Sequence, residues 1–209
     1  MKKINKLYLT SFGLETEVNP DSFVLGEWCK DDKIHPNNYS LNVLPFHWDE
    51  REKLKEDYDK IEILHERILD SLINSLNKLH NTSYSKRYWQ IILDPWLMDY
   101  ISIMFDRWET IRIVSENIKN LSIDFYEINN EDFFPVENMQ DLHGFFNLNE
   151  TNQFFYQKII KEFFNEKFEI HKKNTSITLN MNEEYPTIRS LGLSLSKYFK
   201  VSLGQLFDN

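Results

Sequence analysis

The chain has 209 residues and a formal net charge of −9, from 24 basic and 33 acidic side chains, with 41% hydrophobic residues. This length and composition suit one globular domain with a substantial core, whereas the acidic excess disfavours nucleic acid and anionic membrane surfaces, because both bind clustered Lys and Arg. A single cysteine, Cys29, excludes an intramolecular disulfide and a zinc site built on a cysteine pair, and we expect no bound metal.

The first elements along the chain are short and are separated by loops. Residues 7–12 form a short apolar run that ends at Gly13, which predicts a strand followed by a loop. Residues 23–25 are predicted as a second short strand that stops at Gly26, within a loop-rich segment that extends to about Pro45. The sequence has no recognisable secretory signal and no apolar run of membrane-spanning length, so the cytoplasm is the expected compartment.

Two long amphipathic helices are predicted in the middle of the chain. Asp49 is a plausible N-cap for the first helix, and apolar residues recur at steps of three and four over residues 54–79, which makes one face apolar. A second helix starts over residues 85–93. Asp94 and Pro95 then form a typical helix start, so this point is either a kink or the beginning of a new helix.

The rest of the chain completes an α/β pattern. Residues 121–126 alternate and predict a strand, and a strand, two helices and a further strand are long enough for a parallel crossover. We also predict helices over residues 140–147 and 150–168, a short strand at residues 177–181 and a terminal helix over residues 187–200. The sequence therefore predicts a three-layer α/β fold, with a Rossmann-like parallel sheet flanked by long helices.

The common sequence signatures of catalysis and nucleotide binding are missing. GxGxxG, GxxxxGK[ST], HExxH and GxSxG strings do not occur, and only 5 glycines are present, so we expect no nucleotide cofactor. The turn at residues 11–15 is the candidate substrate loop, because it follows the first strand; a plain turn is the alternative. Among 6 histidines, His47 stands at a helix start, where it either acts as a general base or packs in the turn.

All 5 tryptophans lie between Trp28 and Trp108, each within a residue or so of an ionisable side chain. Because a buried indole N–H needs a partner, this repeated pairing predicts a half-buried surface that binds a partly polar ligand. The alternative is a core whose Trp edges reach solvent. Cys29 is either an activated thiol, since a neighbouring cation lowers a thiol pKa, or a small buried residue.

Four strings in the first half of the chain carry a family resemblance: FVLGEWC at residues 23–29, LPFHWDEREKL at 44–54, RYWQIILDPWL at 87–97 and FDRW at 105–108. They resemble the LGxWC, PYHWDDR-like, RYWxxLxGPWL-like and DRW patterns of a bacterial family of poorly characterised transferases. The genes of that family often accompany genes for surface polysaccharide, such as O-antigen or capsule. Phe46 stands where the family usually has Tyr, and Asp94 where it usually has Gly.

The resemblance covers roughly residues 5–115 and implies an architecture and partners. Family members look like two-domain, GT-B-like glycosyltransferases, so residues 1–209 would be a single α/β domain forming the amino-terminal, acceptor-side part of a longer protein. The implied partner is a carbohydrate acceptor, with a nucleotide-sugar donor only where a second domain is present. We therefore expect no turnover from this chain by itself.

The resemblance and the residue chemistry together give a predicted site. Glu27, His47 and Asp49 are expected to orient or deprotonate an acceptor hydroxyl. The expected substrate-binding residues each carry an indole or a guanidinium: Trp28, Trp48, Arg87, Trp89, Arg107 and Trp108. Structural salt bridges are the alternative for the charged members. The alternative for the whole protein is a non-catalytic binding or assembly module, with the Trp-rich face as a protein interface.

Overall fold

The computed structural model describes residues 4–14, 21–30, 41–128 and 139–177. Their contacts divide the chain into two compact units. The first contains the described residues up to 49 together with residues 106–177, and the second contains residues 50–105. The terminal helix predicted from the sequence lies outside the described residues. None of the described helices combines the length and the apolar character needed to cross a membrane.

The described part of the first unit contains a five-stranded parallel sheet. Its strands are β1 (Asn5–Tyr8), β2 (Phe23–Val24), β3 (Asn42–Val43), β4 (Leu121–Ile128) and β5 (Glu169–Ile177). The strand order is β3-β2-β1-β4-β5, which is the Rossmann order, and it reverses direction between β1 and β4. The predicted α/β class, with a Rossmann-like parallel sheet flanked by helices, is confirmed.

Strand β1 divides its pairing between two neighbours. Its last two residues pair with β2, and its first two pair with β4, through Asn5 opposite Leu121 and Lys6 opposite Ser122. Beyond Ser122, β4 continues beside β5 as far as Ile128. The carboxyl halves of β1 and β4 are therefore not hydrogen-bonded to each other as strands, and a gap opens at the point where the strand order reverses.

Helix α1 (Arg51–His80) begins and ends close to its predicted limits. Its N-cap is Glu50 rather than the predicted Asp49, because Asp49 belongs to a short 3₁₀ turn, His47–Asp49. At the other end Asn81 adopts the left-handed conformation, with φ of 51°, and its N–H bonds the carbonyls of the last turn. This geometry stops the helix.

The buried face of α1 differs from the predicted one. Ile61 and Leu64 are buried as predicted, but Leu54, Tyr58 and Leu79 are 43%, 51% and 56% exposed. Asp57, His65 and Leu69 of α1 are also buried. The apolar pattern could not indicate the first two, which are a carboxylate and an imidazole. Apolar spacing thus located the helix correctly but placed its buried face wrongly at both ends.

Helix α2 (Lys86–Asn117) is a single helix, with Pro95 inside it. The sequence left a kink or a new start open at this point, and the helix runs on. It contributes residues 86–105 to the second unit and residues 106–117 to the first. Asp94, which departs from the family pattern, has its Oδ1 atom 3.1 Å from Nε2 of His65 on α1.

The carboxyl-terminal elements were predicted unevenly. Helices α3 (Met139–Asn147) and α4 (Asn149–Ile159) confirm two predicted helices, although α4 passes into a π-helical segment, Ile160–Phe164. Strands β3 and β5 were not predicted. The structure shows that β5 is exposed over most of its length, so its sequence lacks the apolar alternation by which a half-buried strand is identified.

Candidate functional site

Most of the predicted site residues of the first unit lie in turns at one edge of the sheet. A 3₁₀ turn, Glu27–Cys29, follows β2, and a second one, His47–Asp49, follows β3. Because all the strands are parallel, the ends that these turns follow share one edge, which we call the carboxyl edge. Open α/β sheets bind ligands at this edge. The structure therefore collects Glu27, Trp28, His47, Trp48 and Asp49 at the edge where a ligand site is expected.

A histidine–carboxylate pair lies at this edge. His47 Nε2 is 3.0 Å from Oδ1 of Asp106, and the two side chains are 6% and 19% exposed. A carboxylate at one ring nitrogen favours a proton there, which makes the other nitrogen, Nδ1, the proton acceptor. Asp106 was not among the site residues predicted from the sequence. Its position directly before Arg107 in the FDRW string was the available signal.

His47 packs against the rings of Phe46 and Trp48, and Phe46 also contacts Trp28. We call these four residues the edge cluster: Trp28, Phe46, His47 and Trp48. The His47 ring centroid lies 5.1 Å from that of Phe46 and 4.9 Å from that of Trp48. Trp28 packs edge-on against Phe46 at 6.4 Å and remains 41% exposed. The cluster therefore presents one accessible indole beside an imidazole that is itself almost buried.

Gly26 provides space for that indole. A Cβ atom added at Gly26 would lie 2.2 Å from a ring atom of Trp28. The backbone of Gly26 is extended, with φ of −174°, so a close approach and not backbone strain requires glycine here. This contact gives a physical reason for the glycine and the tryptophan in the LGxWC-like string.

The remaining residues of the first turn have different environments. The Glu27 carboxylate is 73% exposed and lies 2.7 Å from the Lys30 ammonium. Cys29 is 0% exposed, with Sγ 3.5 Å from the carbonyl oxygen of Leu9. Burial raises the pKa of the Cys29 thiol to about 12, so the thiol stays protonated at neutral pH. Of the two roles predicted for Cys29, the structure supports a small buried residue and not an activated thiol.

Arg107 uses its guanidinium inside the protein. It is 8% exposed, with Nε donating to Asn152 Oδ1 at 2.9 Å and Nη2 donating to the Phe146 carbonyl at 3.1 Å. Burial lowers its pKa. Trp108 is half-buried and packs against Phe164 with ring centroids 6.2 Å apart. These contacts join α2 to α3, α4 and the segment after α4.

Glutamines from α4 fill the gap between β1 and β4. Gln157 bonds both backbone groups of Tyr126, accepting from its N–H at 2.8 Å and donating to its carbonyl at 3.1 Å. Gln153 accepts a hydrogen bond from the Thr10 hydroxyl at 2.8 Å and donates to the Asp124 carbonyl at 3.4 Å. These amides take the hydrogen bonds that a neighbouring strand would make, so protein side chains occupy the gap.

The turn after β1, predicted as a candidate substrate loop, is tied to α4 as well. Gly13 has φ of 80°, a left-handed conformation that favours glycine, and an added Cβ would lie 2.5 Å from the hydroxyl oxygen of Tyr126. The side-chain amide of Asn149 donates to the hydroxyl of Ser11 at 2.8 Å. The turn therefore has a fixed shape beside the filled gap.

Two of the predicted substrate-binding residues belong to the second unit. Arg87 is exposed in the first turn of α2. Trp89 is 7% exposed, and its indole N–H donates to Oδ1 of Asn77 on α1 at 3.0 Å. The Trp89 side chain thus has a structural role within the second unit.

The first unit is an α/β protein of Rossmann type, with a histidine–carboxylate pair and an aromatic cluster at the carboxyl edge of its sheet. The sequence model of the LIC12162 family transferases matches residues 6–203. The chain belongs to this transferase family, which confirms the transferase part of the predicted resemblance. No curated protein and no solved structure is significantly similar to the chain.

Proposed function

We propose that the carboxyl edge of the sheet is the acceptor site of a glycosyltransferase that assembles bacterial surface carbohydrate, such as O-antigen or capsule. The contact between His47 and Asp106, 3.0 Å long, carries the proposal. The surrounding side chains bury His47 Nδ1 in the ligand-free protein, so in this role a bound acceptor displaces part of that cover. Nδ1 then removes the proton from the acceptor hydroxyl, and the Asp106 carboxylate stabilises the resulting imidazolium. The acceptor oxygen then attacks the anomeric carbon of the donor sugar, and the nucleotide leaves with the bonding electron pair.

The edge cluster supports this role through binding. Trp28 is 41% exposed, and a sugar ring has an apolar face of C–H groups that can pack against an indole. Glu27 and Asp49 are exposed carboxylates in the same two turns and can accept hydrogen bonds from sugar hydroxyls. Trp48 packs against the His47 ring, with ring centroids 4.9 Å apart, and helps to fix its orientation.

We further propose that residues 1–209 are the acceptor side of a two-domain, GT-B-like transferase whose second domain holds the nucleotide-sugar donor. The filled gap between β1 and β4 supports this division, because Gln153 and Gln157 occupy the crevice in which Rossmann sheets usually bind a nucleotide. The free thiol of Cys29 is consistent with function in the reducing cytoplasm.

The test combines two measurements, one on the chain and one on the polypeptide that the complete reading frame encodes. We expect the chain to bind oligosaccharides from bacterial surface carbohydrate, as measured by saturation-transfer NMR, whether or not it carries His47→Gln. We expect the complete polypeptide to transfer sugar from a nucleotide-sugar donor and to lose about 10³-fold in kcat with the same substitution. Unchanged transfer by His47→Gln would refute the role of His47.

A protein-interface function is the second candidate, and one feature of the second unit favours it. Apolar side chains 42% to 63% exposed lie just before α2 and in its first turns: Tyr84, Tyr88, Ile91 and Ile92. The spacing of Tyr88, Ile91 and Ile92 places these three along one side of the helix. Light scattering on the purified chain tests this candidate: a concentration-dependent increase in mass that Ile91→Lys abolishes would support it, and a constant monomer mass would oppose self-association.

A further inference from the structure

We infer that the sugar bound over Trp28 is neutral or carries an amino group, and that sugars with a carboxylate bind more weakly. This inference rests on the proposed acceptor site and specifies its substrate class. The family assignment does not determine the charge of the acceptor.

Carboxylates predominate among the described charged groups at this edge. Among the described residues of the two turns and their direct partners, Glu27, Asp49 and Asp106 are acidic, and Lys30 is the basic residue that contacts the first turn. The Lys30 ammonium already lies 2.7 Å from the Glu27 carboxylate. An anionic sugar placed over Trp28 would therefore approach the neighbouring Glu27 carboxylate. The Lys30 ammonium, which could attract that sugar, is already paired with Glu27.

Arg107 does not reverse this balance. It is the residue of the first unit that the sequence predicted to bind an anionic group, but its guanidinium bonds Asn152 and the Phe146 carbonyl. With 8% exposure, binding an anion would require it to leave these two contacts. The positive charge is therefore committed to the junction between α3 and α4.

The same groups suit a neutral or amino sugar. An ionised carboxylate offers about four acceptor positions, so Glu27 can bind a sugar hydroxyl or ammonium while it remains bonded to Lys30. Asp49, exposed in the adjacent turn, provides a further acceptor. Because these groups are at the surface, salt will weaken both the attraction of a cation and the repulsion of an anion.

The experiment compares matched sugars on the full chain. Methyl glycosides of glucose, glucosamine and glucuronic acid, and the corresponding galactose series, are titrated at 20 mM salt and followed by Trp fluorescence and saturation-transfer NMR. We expect the uronic acids to bind about fivefold more weakly than the neutral sugars, the ratio that corresponds to one like charge about 4 Å away in water, with the difference reduced at 500 mM salt. Glu27→Gln should reduce this ratio at least about threefold.

Matched variants separate the possible failures. Glu166→Gln removes another exposed carboxylate before β5, at the opposite edge of the sheet, and should leave the affinity ratio unchanged. Trp28→Ala should abolish binding of every sugar. Uronic acids that bind as tightly as neutral sugars, in a Trp28-dependent manner, would overturn the charge inference and leave the acceptor site intact. Absence of Trp28-dependent binding by any sugar would overturn both.

Discussion

The edge cluster in the first unit and the aromatic residues around Trp89 in the second contain similar side chains in different settings. The second group, the corner cluster, consists of His80, Tyr84, Tyr88 and Trp89. In the edge cluster the imidazole faces a carboxylate and Trp28 is 41% exposed. In the corner cluster Trp89 is 7% exposed and its N–H bonds an amide.

A single side chain organises the corner cluster. Asn77 Oδ1 accepts hydrogen bonds from the Thr82 hydroxyl, the Tyr84 N–H and the Trp89 indole, each at 3.0 Å. Its Nδ2 donates to the Tyr84 carbonyl at 3.0 Å. These bonds fix the segment that joins α1 to α2. A tryptophan beside charged residues in the sequence can therefore mark either a candidate ligand site or a helix–helix connection.

The largest expected effect is on catalysis by the edge cluster. Asp106→Asn should lower kcat of the complete transferase about 10³-fold with little change in acceptor KM, because the amide cannot stabilise a protonated His47. The unfolding midpoint in urea should change little. Glu116→Gln, on an exposed position of the same helix, is the matched control and should keep full activity. An Asp106→Asn enzyme with normal kcat would remove the functional distinction between the two clusters.

The next effect is on stability and concerns the corner cluster. Asn77→Leu should lower the free energy of unfolding by about 3 kcal/mol, because it leaves the buried Trp89 N–H and the Tyr84 N–H without their acceptor. Urea denaturation with an unchanged m-value measures this loss. Asn77→Asp retains the oxygen acceptor and should lose only about 1 kcal/mol. Equal losses for the two variants would show that the three donated hydrogen bonds do not stabilise the corner.

A matched pair of substitutions compares the two indoles directly. Trp89→Phe should cost about 2 kcal/mol, since it removes a donor to Asn77 and part of a buried side chain. Trp28→Phe should cost less than about 0.5 kcal/mol, because Trp28 is largely at the surface. Both values come from chemical denaturation of the same chain. The reverse order of stability would contradict the division into a binding cluster and a structural one.

The edge cluster could be predicted in part because its members follow strand ends. Trp28 and His47 lie in short strings directly after β2 and β3, and parallel strands bring such turns to one edge whatever the rest of the fold does. Asp106 is separated from His47 by 59 positions along the chain. Its contact depends on the register of α2 against the sheet, which local periodicity does not determine.

Other features could not be predicted because they depend on tertiary contacts between polar groups. Gln153 and Gln157 carry no periodic signal that identifies a sheet partner, yet they complete the hydrogen bonding of β4. The second unit gives a similar case, since Asp57 is 0% exposed between the Lys53 and Lys60 ammonium groups, at 2.5 Å and 2.9 Å. Hydrophobic patterns indicate where helices and strands lie, but they do not indicate which polar side chains become buried between them.

The alkaline titration of Cys29 tests the packing of the turn that holds Trp28. Burial raises the pKa of its thiol from 9.0 to about 12, so the unfolded chain loses this proton at lower pH than the folded chain. The resulting stability is fully present below about pH 9 and is lost as pH rises toward about pH 12. Between pH 8 and pH 10 the thiol should account for a loss of about 1 kcal/mol.

Tyr156, whose phenol pKa burial also raises, adds to the loss at higher pH. The difference between the wild type and Cys29→Ala therefore isolates the contribution of the thiol. If the wild type and Cys29→Ala lose the same stability between pH 8 and pH 10, the thiol is not enclosed as the structure indicates, and the turn that holds Trp28 is more open than described.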